Sequence, residues 1–202
     1  MSDTFKAIMV SRDEEKNQSV GVENLTVDDL MEGDVVVSVE ATTVNYKDGL
    51  AITGKSPVVR RWPMIPGIDF AGTVETSENP RWKSGDKVIL NGWGVGEVHY
   101  GAYAGKARVN GDWLIGLPNG MKPTDAMAIG TAGYTAMLSV LALEKAEVTP
   151  SSGPIIVTGA SGGVGSVAVS LLSKLGYHVI ASTGRVSEEA YLKDLGAAQI
   201  ID

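Results

Sequence analysis

The sequence predicts an α/β protein in which a β-rich domain is followed by the beginning of a parallel sheet covered by helices. Short alternating runs, clearest at 34–40 and 87–90, and dense turn punctuation predict the β-rich part. Beyond the turn at 118–120 the pattern changes to a long helix, and then to strand, glycine turn, helix and strand. We therefore predict one domain over residues 1–122 and a second over 123–202.

Composition restricts the classes of function. The 202 residues are 44% hydrophobic, which suffices for one large or two small domains with real cores. The formal net charge of −7 repels phosphate backbones, so we expect no nucleic-acid partner. The absence of cysteine and the presence of only two histidines exclude thiolate and histidine-rich sites, so we expect no metal. This composition also fits the reducing cytoplasm, and we expect no signal peptide.

The stretch from Ala126 to Leu143 carries no charge and approaches the length of a bilayer span. It is rich in Ala, Gly, Thr and Ser rather than in Leu and Ile. We therefore interpret it as a helix buried between the two domains and expect no association with a membrane.

The segment from Ile155 to Gly165 predicts an anion-binding turn. A run of β-branched residues leads into a glycine-rich turn, and apolar residues then recur at helical spacing until Gly176, which stands where a helix C-terminal glycine belongs. Free backbone N–H groups and the positive end of the helix dipole would converge on one spot, and the missing Cβ atoms would let a pyrophosphate approach. We predict a dinucleotide site whose phosphates face the backbone of Ser161, Gly162, Gly163 and Val164. The alternative is a glycine-rich turn that binds no nucleotide.

The residues at the end of the second strand of this unit distinguish an NAD site from an NADP site. An NAD site usually has an acidic residue there to accept from the ribose 2′-hydroxyl, whereas this chain has Ser182, Thr183, Gly184 and Arg185. Arg185 can form a charge-assisted fork with a 2′-phosphate. We therefore predict NADPH as the cofactor and these four residues as its contacts. The alternative is that Arg185 is a solvated loop arginine.

Several motifs then occur in a fixed order along nearly the whole chain. They are Val44–Asp48, Pro63–Val74, Gly92–Glu97, Thr131–Ala136 and Thr158–Gly165. With these motifs the chain resembles the medium-chain dehydrogenases/reductases, in their zinc-free quinone-reductase-like branch, and within it the NADPH-dependent acryloyl-CoA reductases. The resemblance implies a GroES-like β-barrel catalytic domain followed by an incomplete Rossmann doubly wound sheet. It also implies a longer full-length protein that forms a homodimer.

Departures from the zinc-dependent relatives indicate the chemistry. Those relatives hold zinc with an early cysteine and a His-Glu pair, where this chain has Asn45-Tyr46-Lys47-Asp48 and Ile68-Asp69. Without a Lewis acid, reduction of an activated C=C bond is easier than oxidation of an alcohol. The resemblance implies hydride transfer from NADPH to a short 2-enoyl-CoA thioester, acryloyl-CoA giving propanoyl-CoA. The alternatives are a quinone or enone substrate, and an NADPH-binding protein without catalysis.

The resemblance also assigns candidate residues. Tyr46 is the leading candidate for the catalytic proton donor, or for a contact with the cofactor ribose, and otherwise a packing tyrosine. Thr131 would lie beside the nicotinamide, and otherwise reads as a core threonine. Asp48 is expected to be a structural hydrogen-bonding residue and Asp69 to fix loop geometry.

Two further features stay open at the level of sequence. Lys55, Arg60 and Arg61 form a basic cluster on an acidic chain, which either attracts the phosphates of coenzyme A or is a solvated loop. His99 either touches substrate or is structural.

Overall fold

A computed structural model describes residues 3–202, with the side chains of this range except that of Val186. The chain divides into two compact units, the first ending at Thr131 and the second running from Ala132 to Asp202.

The division between the units lies further along the chain than the boundary near residue 122 that the sequence predicted. The reason is the start of the long helix, which packs on the β-rich unit. Ala126 and Met127 share a buried cluster with Ala71 and Ile89. The first turns of the helix therefore belong to the first unit by their packing.

The first unit consists mainly of antiparallel strands. Its elements are β1 (Phe5–Arg12), β2 (Gln18–Leu25), β3 (Val35–Thr42), α1 (Tyr46–Thr53), β4 (Asp69–Ser77), β5 (Lys87–Asn91), β6 (Lys106–Val109) and β7 (Ile115–Gly116). Strands β1 and β2 form a hairpin, and the other five form one sheet in the order β6-β3-β4-β5-β7. The strands predicted at 34–40 and 87–90 are confirmed as β3 and β5. The core of this sheet contains Val35, Val37, Phe70, Val74, Val88 and Leu90.

Helix α1 is short and is defined by its ends. Asn45 precedes it, and the backbone N–H of Asn45 donates to Oδ2 of Asp48 at 2.8 Å in a capping box. Gly54 ends the helix in the left-handed region, with φ 67°. The capping box fixes the start of the helix, where Tyr46 is the first residue.

The long helix α2 (Pro123–Lys145) is interrupted at Gly130, whose φ of 53° and ψ of −164° are not helical. By length and composition this helix could cross a membrane. In its apolar 18-residue window, 33% is buried inside the protein. The sequence predicted that this helix is buried, and the structure agrees only in part, because Tyr134, Leu138 and Leu141 are about half exposed. The absence of a membrane stays a prediction.

The second unit is built on a parallel sheet. Its elements after α2 are β8 (Ile155–Thr158), α3 (Gly163–Lys174), β9 (Val179–Ser182), α4 (Glu189–Asp194) and β10 (Gln199–Ile201). The strands are ordered β10-β9-β8 and all pair in parallel. Gly176 follows α3 with φ 87°, as the sequence predicted. The strand–turn–helix–strand unit predicted around residues 155–183 is confirmed.

Candidate active site

The glycine-rich turn presents unpaired backbone donors at the start of α3. Gly162 is the N-cap, no described side chain caps the helix, and the first intrahelical bond runs from the N–H of Ser166 to the C=O of Gly162 at 2.8 Å. The N–H groups of Gly163, Val164 and Gly165 therefore have no acceptor within the helix. Together with the positive end of the helix dipole they form a site suited to a phosphate.

The turn packs closely enough to require glycine. Gly159 has φ 59°, and a Cβ atom on Gly165 would lie 2.3 Å from the C=O oxygen of Gly159. Any side chain at Gly165 would push the start of α3 away from the end of β8. A Cβ on Gly163 would meet the Cβ of Ala132 at 3.3 Å, which is a much milder contact.

The structure brings the end of β9 against this turn. The hydroxyls of Ser161 and Thr183 are 2.9 Å apart, and Thr183 is buried. The backbone N–H of Arg185 donates to Oγ1 of Thr183 at 3.1 Å, and its Nη2 donates to the C=O of Ser161 at 3.3 Å. The C=O of Ser182 accepts from the N–H of Ala160 at 3.0 Å. Thus the two halves of the predicted cofactor site are joined, and Arg185, though exposed, is oriented by the turn.

Sequence reasoning missed a carboxylate near Arg185. A Cβ atom on Gly184 would lie 3.9 Å from Oδ1 of Asp202, the residue that follows β10. The third strand of a parallel sheet ends on the same side as the second, and this is the signal that could have indicated it. If a 2′-phosphate were bound here, the charge of Asp202 would oppose it and that of Arg185 would favour it.

A second cluster, in the first unit, is centred on Asp69. Asp69 is fully buried at the start of β4. Its Oδ1 accepts from the hydroxyl of Thr43 at 2.6 Å and from the N–H of Thr43 at 3.3 Å, and its Oδ2 lies 3.4 Å from Nδ2 of Asn45. The same Oδ2 accepts from the N–H of Thr131 at 2.9 Å and from its hydroxyl at 2.6 Å. One carboxylate thus joins the loop before α1 to the long helix.

The interruption of α2 makes this contact possible. Because Gly130 leaves the helical conformation, Thr131 begins a new helical segment whose first N–H groups need acceptors. Asp69 supplies the acceptor from a neighbouring strand, and its negative charge suits the positive end of the segment. A Cβ atom at Gly130 would lie 2.8 Å from Cγ2 of Thr43, so glycine is also needed for the close approach. Nδ2 of Asn91 donates to the Thr131 hydroxyl at 3.2 Å.

Tyr46 stands on the surface directly after the fixed loop. Tyr46 is 85% exposed within this chain, and its role as proton donor or ribose contact stays a prediction. Asp48, two residues further on, is buried, and burial raises the pKa of its carboxyl above the ordinary value, while the N–H of Asn45 acts in the opposite direction. The hydroxyl of Tyr103 donates to the C=O of Thr43 at 3.0 Å, and burial raises the pKa of that phenol as well.

A second feature of the first unit, an aromatic group, was missed in the sequence. Trp93 is 61% exposed with φ 57°, and its ring stacks on Trp113 at 6.2 Å between centroids. His99 meets Trp113 edge-on at 5.2 Å, and its Nε2 lies 2.8 Å from the C=O of Arg108. Since a carbonyl only accepts, Nε2 carries the proton. Burial lowers the pKa of His99, and its contacts support the structural alternative.

No group of three or more His, Asp or Glu side chains within residues 3–202 is placed to hold a metal ion. Ile68, at the position where zinc-dependent relatives have a ligand, is buried. The carboxylate oxygens of the adjacent Asp69 are occupied by the Thr43, Asn45 and Thr131 donors described above.

Comparison with known proteins identifies the family. Residues 31–142 match the model of the alcohol dehydrogenase GroES-like domain. The chain is 54% identical to acrylyl-CoA reductase AcuI of Ruegeria pomeroyi over 98% of its own length and 60% of that protein. It is 44% identical to YhfP of Bacillus subtilis, assigned by its name to the quinone oxidoreductases, over 100% of its own length and 61% of that protein.

Solved structures agree. The yhdH oxidoreductase from Salmonella enterica, in complex with NADP, superposes with a TM-score of 0.94 at 54% identity over 97% of this chain and 60% of that one. YhfP from Bacillus subtilis, with NAD bound, gives 0.92 at 44% identity over 99% of this chain and 60% of that one. The chain thus spans about 60% of the length of these relatives, which fits their N-terminal part. It belongs to the alcohol dehydrogenase GroES-like family, in the branch of the medium-chain dehydrogenases/reductases that contains the acryloyl-CoA reductases and quinone oxidoreductases.

Proposed function

We propose that this chain forms the catalytic domain and the first part of the cofactor domain of an NADPH-dependent 2-enoyl-CoA reductase. The proposed substrate is a short enoyl thioester, acryloyl-CoA, and the product is propanoyl-CoA. The observation that supports the proposal is the contact of Arg185 with the C=O of Ser161, just before α3, so that a cation lies beside the turn that we propose binds the phosphates. The name of the 54% identical relative supports the substrate.

The residues of the second unit fit NADPH by their chemistry. The N–H groups of Gly163, Val164 and Gly165 would bind the pyrophosphate, with Ser161 and Gly162 completing the turn. Arg185 would bind the 2′-phosphate, and the Thr183 hydroxyl accepts from its backbone N–H. Ser182, Thr183 and Gly184 are the further proposed contacts of the cofactor. The absence of a Cβ at Gly165 keeps the turn close to the helix.

The residues of the first unit supply the proposed contacts with the reacting groups. Tyr46 and Thr131 are assigned to the nicotinamide side by family resemblance. Because the Thr131 hydroxyl donates to Asp69, it would meet the nicotinamide amide as an acceptor. Asp69 and Asn45 act as positioning residues that hold Thr131 and the loop before Tyr46 in place.

The proposed reaction adds two hydrogens to the C=C bond. NADPH, when bound, supplies the hydride that adds to the β-carbon. The C=C electron pair moves towards the thioester carbonyl, whose oxygen becomes an enolate. The Cα=C electron pair of the enolate then takes a proton from Tyr46 at the α-carbon while the thioester C=O bond re-forms, and Tyr46 takes a proton back from water. A placed acid of this kind contributes about 10²–10⁴-fold to rate.

A quinone or free enone is the second candidate substrate, and the name of the 44% identical relative favours it. The test measures NADPH oxidation by the full-length protein with acryloyl-CoA and with a benzoquinone. We expect a kcat/KM at least tenfold higher for acryloyl-CoA, and comparable values would refute the substrate assignment.

The Tyr46→Phe variant separates catalysis from cofactor binding alone. We expect kcat to fall by about 10²-fold or more with the dissociation constant of NADPH nearly unchanged. A non-catalytic NADPH-binding protein would bind the cofactor and turn over no enone. A cytoplasmic location, a small-molecule CoA thioester as partner and a homodimer of the full-length protein belong to the same proposal.

A further inference from the structure

We propose that a pocket at the C-terminal end of α1 binds the phosphate groups of the coenzyme A substrate. The inference rests on the proposed function and specifies its substrate subsite. The pocket has a volume of about 210 Å³, and Arg12, Lys55 and Trp62 line it together with Gln18 and Ser56. Among the residues that the structure describes, no Asp or Glu lines it, although the chain as a whole carries a net charge of −7.

Three segments of the chain build this phosphate pocket. Val10 and Met64 exchange both backbone hydrogen bonds, at 2.8 and 2.9 Å, which brings the end of β1 against the segment before Met64. Arg12 consequently lies over the ring of Trp62, with 4.3 Å from Cζ to the ring centroid. The cation–π contact orients the guanidinium before a ligand arrives. Binding therefore has to restrict fewer side-chain torsions, which lowers its entropic cost.

The end of α1 would oppose an anion if it were left bare, since the last carbonyls of a helix carry partial negative charge. Gln18, opposite Arg12 in the hairpin, removes this obstacle. Its Nε2 donates to the C=O of Ala51 at 2.9 Å and to that of Ile52 at 2.8 Å. The charged groups that face a ligand in this pocket are therefore the cations Arg12 and Lys55.

The two cations that line the pocket, Arg12 and Lys55, are available for a ligand. Within residues 3–202, Arg12, Lys55, Arg60 and Arg61 form no ion pair, whereas Lys47, Lys87 and Lys106 are each paired with a carboxylate. The N–H groups of Arg60 and Arg61 both donate to the C=O of Glu97, at 2.9 and 3.3 Å. Arg60 and Arg61 do not line the pocket, and their backbone bonds to Glu97 fix the segment that leads to Trp62.

The length of α1 matches the substrate. Tyr46 is the first residue of the helix and the pocket lies beyond its last, Thr53. Eight residues at about 1.5 Å each separate the two ends by about 12 Å. The pantetheine arm of coenzyme A is long enough to cover this distance between its thioester and its phosphates. A quinone has no anionic tail, so a phosphate pocket at this distance distinguishes the two substrate classes.

The test compares acryloyl-CoA with acryloyl-pantetheine, which lacks the phosphates, in the full-length enzyme. The variant Arg12→Gln/Lys55→Gln is matched by Lys122→Gln/Lys174→Gln, which removes the same charge from two exposed sites elsewhere. We expect the ratio of kcat/KM for acryloyl-CoA to that for acryloyl-pantetheine to fall at least about tenfold in the first variant. The matched variant should keep the wild-type ratio. An unchanged ratio in both variants would overturn the proposal.

A binding measurement separates this subsite from the proposed reaction. Calorimetry with free coenzyme A should show affinity in the wild type, competition by adenosine 3′,5′-bisphosphate but not by adenosine, and at least about tenfold weaker binding in Arg12→Gln/Lys55→Gln. This pattern would support the pocket even if acryloyl thioesters were not turned over. Equal affinity for coenzyme A and inorganic phosphate, or equal affinity in wild type and variant, would refute it.

Discussion

Oδ2 of Asp69 accepts hydrogen bonds from both the backbone N–H and the hydroxyl of Thr131, at 2.9 and 2.6 Å. These two residues are far apart in the sequence, and their contact depends on the non-helical Gly130. Where zinc-dependent relatives use this region to hold a metal, Asp69 here stabilises the backbone that carries the proposed nicotinamide contacts. The buried carboxylate has donors around it in place of a cation, and its contribution to stability can be measured directly.

Asp69→Asn should destabilise the first unit by about 2–4 kcal/mol, because an amide replaces one acceptor oxygen with a donor facing other donors. The four tryptophans, at 62, 82, 93 and 113, all lie in the first unit, so their fluorescence during urea unfolding reports on it. Asp28→Asn, at an exposed position, is the matched control and should change stability by less than about 0.5 kcal/mol. A loss below about 1 kcal/mol for Asp69→Asn would show that the network contributes little.

Gly165→Ala should destabilise the second unit by about 1–3 kcal/mol, because its Cβ would lie 2.3 Å from the C=O oxygen of Gly159. Gly163→Ala introduces a contact of only 3.3 Å and should cost less than about 1 kcal/mol. Far-UV circular dichroism follows both units, and the tryptophan transition of the first unit should stay unchanged in either variant. Equal stability of the two variants would contradict the close packing of the turn.

The buried Asp48 should give the stability of the first unit a dependence on pH. Burial raises its pKa above 3.8 in the folded chain, so the folded state holds this proton more tightly than the unfolded state. The contribution of Asp48 to stability is therefore greatest below about pH 3.8 and is lost as the pH rises through the raised value. Asp48→Asn keeps an oxygen to accept from Asn45 and should become more stable relative to wild type between pH 4 and pH 7. Parallel stability curves for the two proteins would contradict the raised pKa.

His99 should make the stability of the first unit depend on pH in the opposite direction. Burial lowers its pKa below 6.5, so the unfolded chain binds the proton more readily than the folded one. Its contribution is present above about pH 6.5 and is lost as the pH falls through the lowered value. His99→Gln can still donate to the C=O of Arg108 and should lose less stability than wild type between pH 7.5 and pH 5. The free energy of unfolding from tryptophan fluorescence measures both curves, and identical slopes would argue against the lowered pKa.

Local patterns in the sequence predicted the second unit well. The strands, the glycine turn, α3 and the left-handed Gly176 follow from spacing and residue type over short distances. The meeting of Ser161 with Arg185 also follows, since a parallel βαβ unit brings the carboxyl ends of neighbouring strands together.

The first unit could be predicted only in outline. The hydrogen bonds that join Asp69 to Thr43 and Thr131 connect segments far apart in the chain, and no periodic signal records them. The break at Gly130 was hidden because a single glycine is tolerated in a helical pattern. The contact of Arg12 with Trp62 likewise depends on the pairing of Val10 with Met64, which residue types do not specify.

Titration calorimetry of the full-length protein with NADPH and with NADH, in wild type and in Arg185→Gln, tests the cofactor site most directly. The relative crystallised with NAD shows that this fold can also hold the cofactor without a 2′-phosphate. A preference for NADPH over NADH therefore has to come from particular residues and not from the fold. We expect NADPH to bind at least about tenfold tighter than NADH in the wild type, and this preference to disappear in Arg185→Gln while NADH affinity changes little. Equal affinity for both cofactors in the wild type, or an undiminished preference in the variant, would contradict the role assigned to Arg185 beside the glycine turn.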